Sequence, residues 1–79
     1  GDVGRVVDID GDKLQVQLND KTQAVDENWQ QVAAPGHSVI MFSESDEVKL
    51  KDKVIIKDEE LCLKKDKSPL RCDVILCTL

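Results

Sequence analysis

Leu14, Val16 and Leu18 alternate strictly with Gln15 and Gln17, and Asp10-Gly11-Asp12-Lys13 separates this run from Val6-Val7-Asp8-Ile9. Side chains of a strand point to its two faces in turn, so a period of two gathers apolar residues onto one side of a sheet. A helix would scatter the same residues around its circumference. An Asp-Gly pair between two such runs is the strongest short-range signal for a β-hairpin, and Gly11 supplies the positive φ that the turn needs. Strict alternation gives Val7 and Ile9 one face and Val6 and Asp8 the other.

The rest of the chain continues the theme. Asn19-Asp20-Lys21 makes a second polar turn, and a short strand is predicted over 22–25. Trp29 and Val32 lie three apart, which suits a single helical turn, and Ala33-Ala34-Pro35-Gly36 then punctuates the chain. Strands are predicted at 39–42, ended by Ser43-Glu44-Ser45-Asp46, and at 54–56, ended by Asp58-Glu59-Glu60. Val48 and Leu50 alternate with Lys49 and Lys51 before a turn at Asp52-Lys53, Leu61 and Leu63 flank Cys62, and a last strand covers 72–79. Seven or eight short strands with frequent turns describe an all-β domain, a small barrel or sandwich. One domain is expected over 1–79, with the hairpin segment at 1–34 and additional strands at 35–79. The sequence opens at Gly1 rather than Met, so a piece of a longer protein is expected. The apolar strand at 72–79 is expected inside a sheet, because a free edge of that composition invites aggregation.

Composition narrows the function. The 79 residues include one Trp, one Phe and no Tyr, so the core must come from Val, Ile and Leu. The longest apolar runs, 39–42 and 74–77, fall far short of the roughly 18 residues that cross a membrane. Three cysteines without a secretory signal point to reduced thiols and an intracellular (cytoplasmic or nuclear) setting. The net charge is −5, of which residues 1–35 carry −4. Neither half has the basic surplus with which nucleic-acid modules neutralise phosphates.

Gly1-Asp2-Val3-Gly4-Arg5-Val6-Val7-Asp8-Ile9, followed by Lys13-Leu14-Gln15-Val16, resembles the central hairpin of small Src-homology-3-like barrels. Within that group it is similar to the KOW motif of NusG-like factors and ribosomal proteins, and to the repeat module of Mind bomb-type ubiquitin ligases. The likeness covers residues 1–32. It implies a small Src-homology-3-like barrel with additional C-terminal strands. From the Mind bomb side it implies partner recruitment in a ubiquitin ligase, and from the KOW side a nucleic-acid or ribonucleoprotein contact.

Reactive constellations fail one by one. Asp8, Asp10 and Asp12 alternate as in a calcium loop, but Lys13 and Asn19 stand where that loop needs Gly and a bidentate Glu. Cys62, Cys72, Cys77 and His37 lack the close pairs of structural zinc sites. His37, in a turn after Pro35-Gly36, has no evident carboxylate to orient it as a base. The chain is therefore expected to be non-enzymatic, without cofactor or metal. Lys49, Lys51, Lys53 and Lys57 occupy odd positions, so one uninterrupted strand would align them on a face, with Lys64, Lys65 and Lys67 following. This lysine stripe over 49–67 and Trp29 are the candidate partner-binding residues, with a solvated face for the lysines and a core plug for Trp29 as the plainer readings. The leading function is a protein-interaction or scaffolding module. Nucleic-acid contact through the stripe, and a structural segment packing on its own chain, are the alternatives.

Overall fold

Strand β1 (Gly4–Asp10) and strand β2 (Lys13–Leu18) form the expected hairpin, with Asp10 opposite Lys13 and Gly11 at φ 62°. The computed structural model describes residues 1–43 and 46–79, so Glu44 and Ser45 of the predicted Ser43-Glu44-Ser45-Asp46 turn lie outside the described residues. Six further strands follow: β3 (Thr22–Val25), β4 (Gln31–Ala33), β5 (Ser38–Phe42), β6 (Lys53–Lys57), β7 (Glu60–Leu63) and β8 (Ile75–Thr78). The described residues contain no helix, and the fold is all-β.

The first hairpin departs from strict alternation at one residue. Val6 faces Val16 but Asp8 faces Gln15, so Val7 is an extra residue in the ladder. A bulge of this kind shifts the pleat by one position. Val6 is thereby fully buried and Ile9 still packs against the core, while Val7 turns out to solvent. The shared face expected for Val7 and Ile9 is corrected accordingly.

All pairings are antiparallel, and the strands form a curled five-stranded sheet in the order β5-β2-β1-β6-β7 and a three-stranded sheet in the order β4-β3-β8. One core joins them, with Val6, Leu14, Val16, Val39, Met41, Val54 and Leu63 from the large sheet against Ala24 and Ala33 from the small one. Aliphatic residues fill it, as the scarcity of aromatics requires.

Three expectations are corrected. Residues 26–30 form a loop, not a helical turn: Asp26 Oδ1 accepts the Asn28 and Gln30 N–H groups at 2.8 and 2.9 Å. An Asp that ties up nearby amides in this way competes with helical bonding. Val32 belongs to β4 instead. Residues 48–52 are not a strand either, because Asp52 Oδ2 accepts the Lys49 N–H at 2.9 Å and Lys51 takes φ 71°. Finally, β8 is an edge strand, pairing only with β3 among the described residues, whereas an internal place was expected. The first residues of the strand expected over 72–79, from Cys72 to Val74, lie outside β8.

β1 is paired on both sides, and Gly4 shows how closely. Gly4 lies opposite Leu18 on one side and Val54 on the other. A Cβ placed there would come 2.7 Å from Val16 Cγ1 and 2.8 Å from the Gln17 carbonyl oxygen. Backbone cannot yield as a flexible side chain does, so the Gly4→Ala variant should lose about 1–3 kcal/mol of stability. Gly1, with nothing within 4 Å of its Cβ position, is the matched control. Urea unfolding of Gly4→Ala and Gly1→Ala tests the difference, and equal midpoints would refute the close approach.

Candidate interaction surface

Trp29 is displayed, not buried. It lies 70% exposed at φ 61° in the loop between β3 and β4, which corrects the core-plug reading. The loop that holds it is well tied. The Asp26 and Gln30 backbones join through a 2.9 Å bond, the Trp29 N–H donates to the Asp26 carbonyl at 3.0 Å, and the Asp26 carboxylate takes two more amides. A bulky residue in the left-handed region is a backbone outlier. Exposing an indole there gives up burial as well.

The lysines do not form a stripe. Lys49 and Lys51 belong to the turn capped by Asp52, Lys53 opens β6, and Lys57 lies at the far end of that strand, opposite Glu60. The fold instead gathers Lys51, Lys53, Lys64 and Lys65 around Asp52. Lys64 Nζ lies 2.7 Å and Lys53 Nζ 3.5 Å from the Asp2 carboxylate, and Lys65 Nζ lies 3.4 Å from Asp52. Lys64, with Lys53 beside it, holds the Asp2 carboxyl below its ordinary range. Two carboxylates thus share these cations, and exposed ion pairs of this type contribute little to stability.

One concavity was not foreseen from the sequence. A cleft of about 500 Å³ opens between the β6–β7 hairpin and residues 69–76, with Ile56, Leu61, Leu70, Val74 and Ile75 among its walls and Glu59 and Glu60 also lining it. Its hairpin turn is unusual. Asp58 and Glu59 take φ 52° and 67°, the pair of positive values of a two-residue type I′ turn, yet neither is glycine. In the sequence Asp58-Glu59-Glu60 reads as an ordinary turn, and the positive φ values appear only in the structure. Strain retained at one spot is a common mark of a functional element.

The remaining candidates are dispersed. Cys62 is buried in β7, and the Cys72 thiol donates to the Val74 carbonyl at 3.1 Å, with burial pushing its pKa up. His37 is exposed, its Nδ1 3.3 Å from the Pro35 carbonyl oxygen. Among the described residues, no three His, Cys, Asp or Glu side chains converge as metal ligands, and no helix is long and apolar enough to cross a membrane.

Fold and surface together define a small all-β domain whose distinctive features face outward. A family model described as "Connectase MJ0548-like, C-terminal domain" matches residues 1–77, and the chain belongs to that family. The match bears on neither the KOW nor the Mind bomb likeness of residues 1–32. Searches of curated proteins and of solved structures returned no significant match.

The strain at the cleft is measurable. A left-handed L-residue costs roughly 1–2 kcal/mol, and glycine recovers part of this after its own larger unfolded-state entropy is discounted. The Glu59→Gly variant should therefore be more stable by roughly 0.5–1 kcal/mol, read from the urea midpoint at unchanged slope. A loss of stability would show that the Glu59 side chain supports the fold.

Proposed function

We propose that this domain is a non-catalytic protein-interaction module of a larger connectase-like protein, with Trp29 as a principal contact. The carrying observation is the Trp29 loop, which keeps the single Trp of the chain 70% exposed in a left-handed conformation. The domain meets both costs without recovering them internally. Trp is enriched among the residues that dominate binding energy at protein interfaces, and a pre-tied loop loses little entropy on binding. Partner recruitment in a ubiquitin ligase, implied by the Mind bomb likeness, is one form of this reading.

Further features support a binding role over catalysis. Thiolate is the reactive form of cysteine, and burial disfavours it at Cys72. His37 faces solvent beside the Pro35 carbonyl rather than a nucleophile. The family description, a C-terminal domain, supports a place within a larger protein. Three free thiols support an intracellular, reducing setting.

Because Trp29 is the single Trp, its fluorescence tests the reading directly. In the isolated domain, acrylamide should quench it almost as well as in the urea-unfolded chain, and Trp29→Ala should change stability by less than about 0.5 kcal/mol. In the full-length protein, with any tryptophan outside residues 1–79 replaced by Phe, Trp29 should remain as open as in the isolated domain. Burial of Trp29 there would overturn the reading in favour of a structural segment packing on its own chain.

The lysine cluster carries the competing nucleic-acid reading, with Asp2 and Asp52 counted against it. A labelled single-stranded oligonucleotide in about 100 mM salt should bind no more tightly than the non-specific range of roughly 10⁻⁴–10⁻⁶ M. Nanomolar affinity that disappears in the Lys51→Glu, Lys53→Glu, Lys64→Glu triple variant would reverse the ranking.

A further inference from the structure

The large sheet curls into a half-barrel beside the small sheet, and the two corners between them differ. At one corner β4 runs into β5 through a tight turn, where the His37 N–H donates to the Ala34 carbonyl at 3.0 Å and Gly36 takes φ 79°. At the opposite corner the terminal strands β7 and β8 share no ladder. The outer edge of β7 is already covered, because the Leu63 N–H donates to the Ser68 carbonyl and the Leu70 N–H to the Leu61 carbonyl, at 2.9 and 2.7 Å. The outer edge of β8 has no such cover among the described residues.

The β8 ladder shows which groups are open. The Leu79 N–H donates to the Lys21 carbonyl at 2.7 Å, and β8 continues antiparallel to β3 with Cys77 opposite Gln23 and Ile75 opposite Val25. Hydrogen-bonded pairs recur at every second residue of an antiparallel ladder. Cys77 and Ile75 therefore bond to β3, and the N–H and C=O groups of Leu76 and Thr78 point away from it. Beside that row lies the cleft of about 500 Å³, with Ile75 and Leu76 in one wall and Ile56 and Leu61 in the other. Glu59 and Glu60 line it too, and neither forms an ion pair with the described residues. Arg71, also in the lining, already has a partner.

We propose that this seam receives one added β-strand from a partner protein, an extended segment in which apolar residues alternate with Lys or Arg. The proposal rests on the interaction-module reading and supplies its partner class. Leu76 and Thr78 give the main-chain bonds of strand addition, and the cleft between Ile56 and Ile75 takes the apolar side chains. Strand addition draws its affinity from the backbone and its specificity from pockets for alternate side chains. The charge of the partner follows from Glu59 and Glu60, held at the cleft by the strained turn, and from the net −5 of the domain. An acidic strand would meet like charge at close range.

The probes are two short labelled peptides, one alternating Lys with Val and one alternating Glu with Val, followed by anisotropy and by amide chemical shifts of the domain. The Lys peptide should bind and move the Leu76, Thr78 and Glu59 amides, and the Glu peptide should not. Charge reversal in Glu59→Lys with Glu60→Lys should weaken the Lys peptide at least about tenfold. So should Thr78→Pro, which removes an outward N–H that the β3 ladder does not use and which an edge strand tolerates. Unchanged melting of both variants keeps a folding defect from imitating the effect. No binding, equal binding of both peptides, or full affinity in both variants would overturn the seam. Shifts gathered around Trp29 would also overturn it while leaving the Trp29 reading intact.

Discussion

The close approach of β1 to its neighbours is the constraint on which the other strands depend. β1 is hydrogen-bonded to β2 on one side and β6 on the other, and Gly4 lies where both partners meet it. Gly4 has no side chain, which lets the Val16 side chain and Gln17 backbone come within a distance that any Cβ would forbid. β6 carries β7, and β2 carries β5, so the five-stranded sheet is assembled outward from this contact. The Val7 bulge does the complementary work, bending the strand while letting both Val6 and Ile9 serve the core.

Short polar side chains do much of the remaining organisation. Asp26 sets the loop that displays Trp29, Asp52 sets the turn that ends any stripe of lysines, and Asp66 accepts the Ser68 N–H at 3.0 Å before the segment that covers β7. Each replaces a regular backbone bond with a side-chain bond, so each ends or redirects an element. Three of the sixteen acidic residues thus set local geometry. The Asp66 carboxyl, held below its ordinary range first by that backbone N–H and by Ser68, illustrates the same use.

The surface has three separate characters. Trp29 stands on a hydrogen-bonded loop at one place, Lys51, Lys53, Lys64 and Lys65 gather near Asp2 and Asp52 at another, and the apolar cleft with Glu59 and Glu60 lies between the terminal strands. None of these gathers a nucleophile with a base. Each presents its groups to solvent. The family to which the chain belongs is described as a C-terminal domain.

The all-β class, the hairpin with Gly11 at its turn, and strands β3, β5, β6 and β7 were legible in the sequence, because local alternation and turn residues fix them without help from distant parts of the chain. Tertiary structure decided the rest. Whether Trp29 is buried depends on what lies opposite its loop, and three-residue spacing to Val32 carries no information about that. Residues 49–57 could align their lysines only as one strand, and the Asp52 cap breaks it, with the Val6 N–H donating to the Asp52 carbonyl at 2.8 Å and the Lys51 N–H to the Val6 carbonyl at 2.7 Å. The apolar run at the C-terminal end reads the same as an inner or an outer strand, since burial of side chains does not reveal which backbone edge is paired. Only the sheet order makes β8 an edge, and only its nearness to the strained Asp58 and Glu59 turn creates the cleft. Local sequence sets where the chain extends and turns, whereas the meeting of strands far apart in sequence sets which groups remain open to a partner.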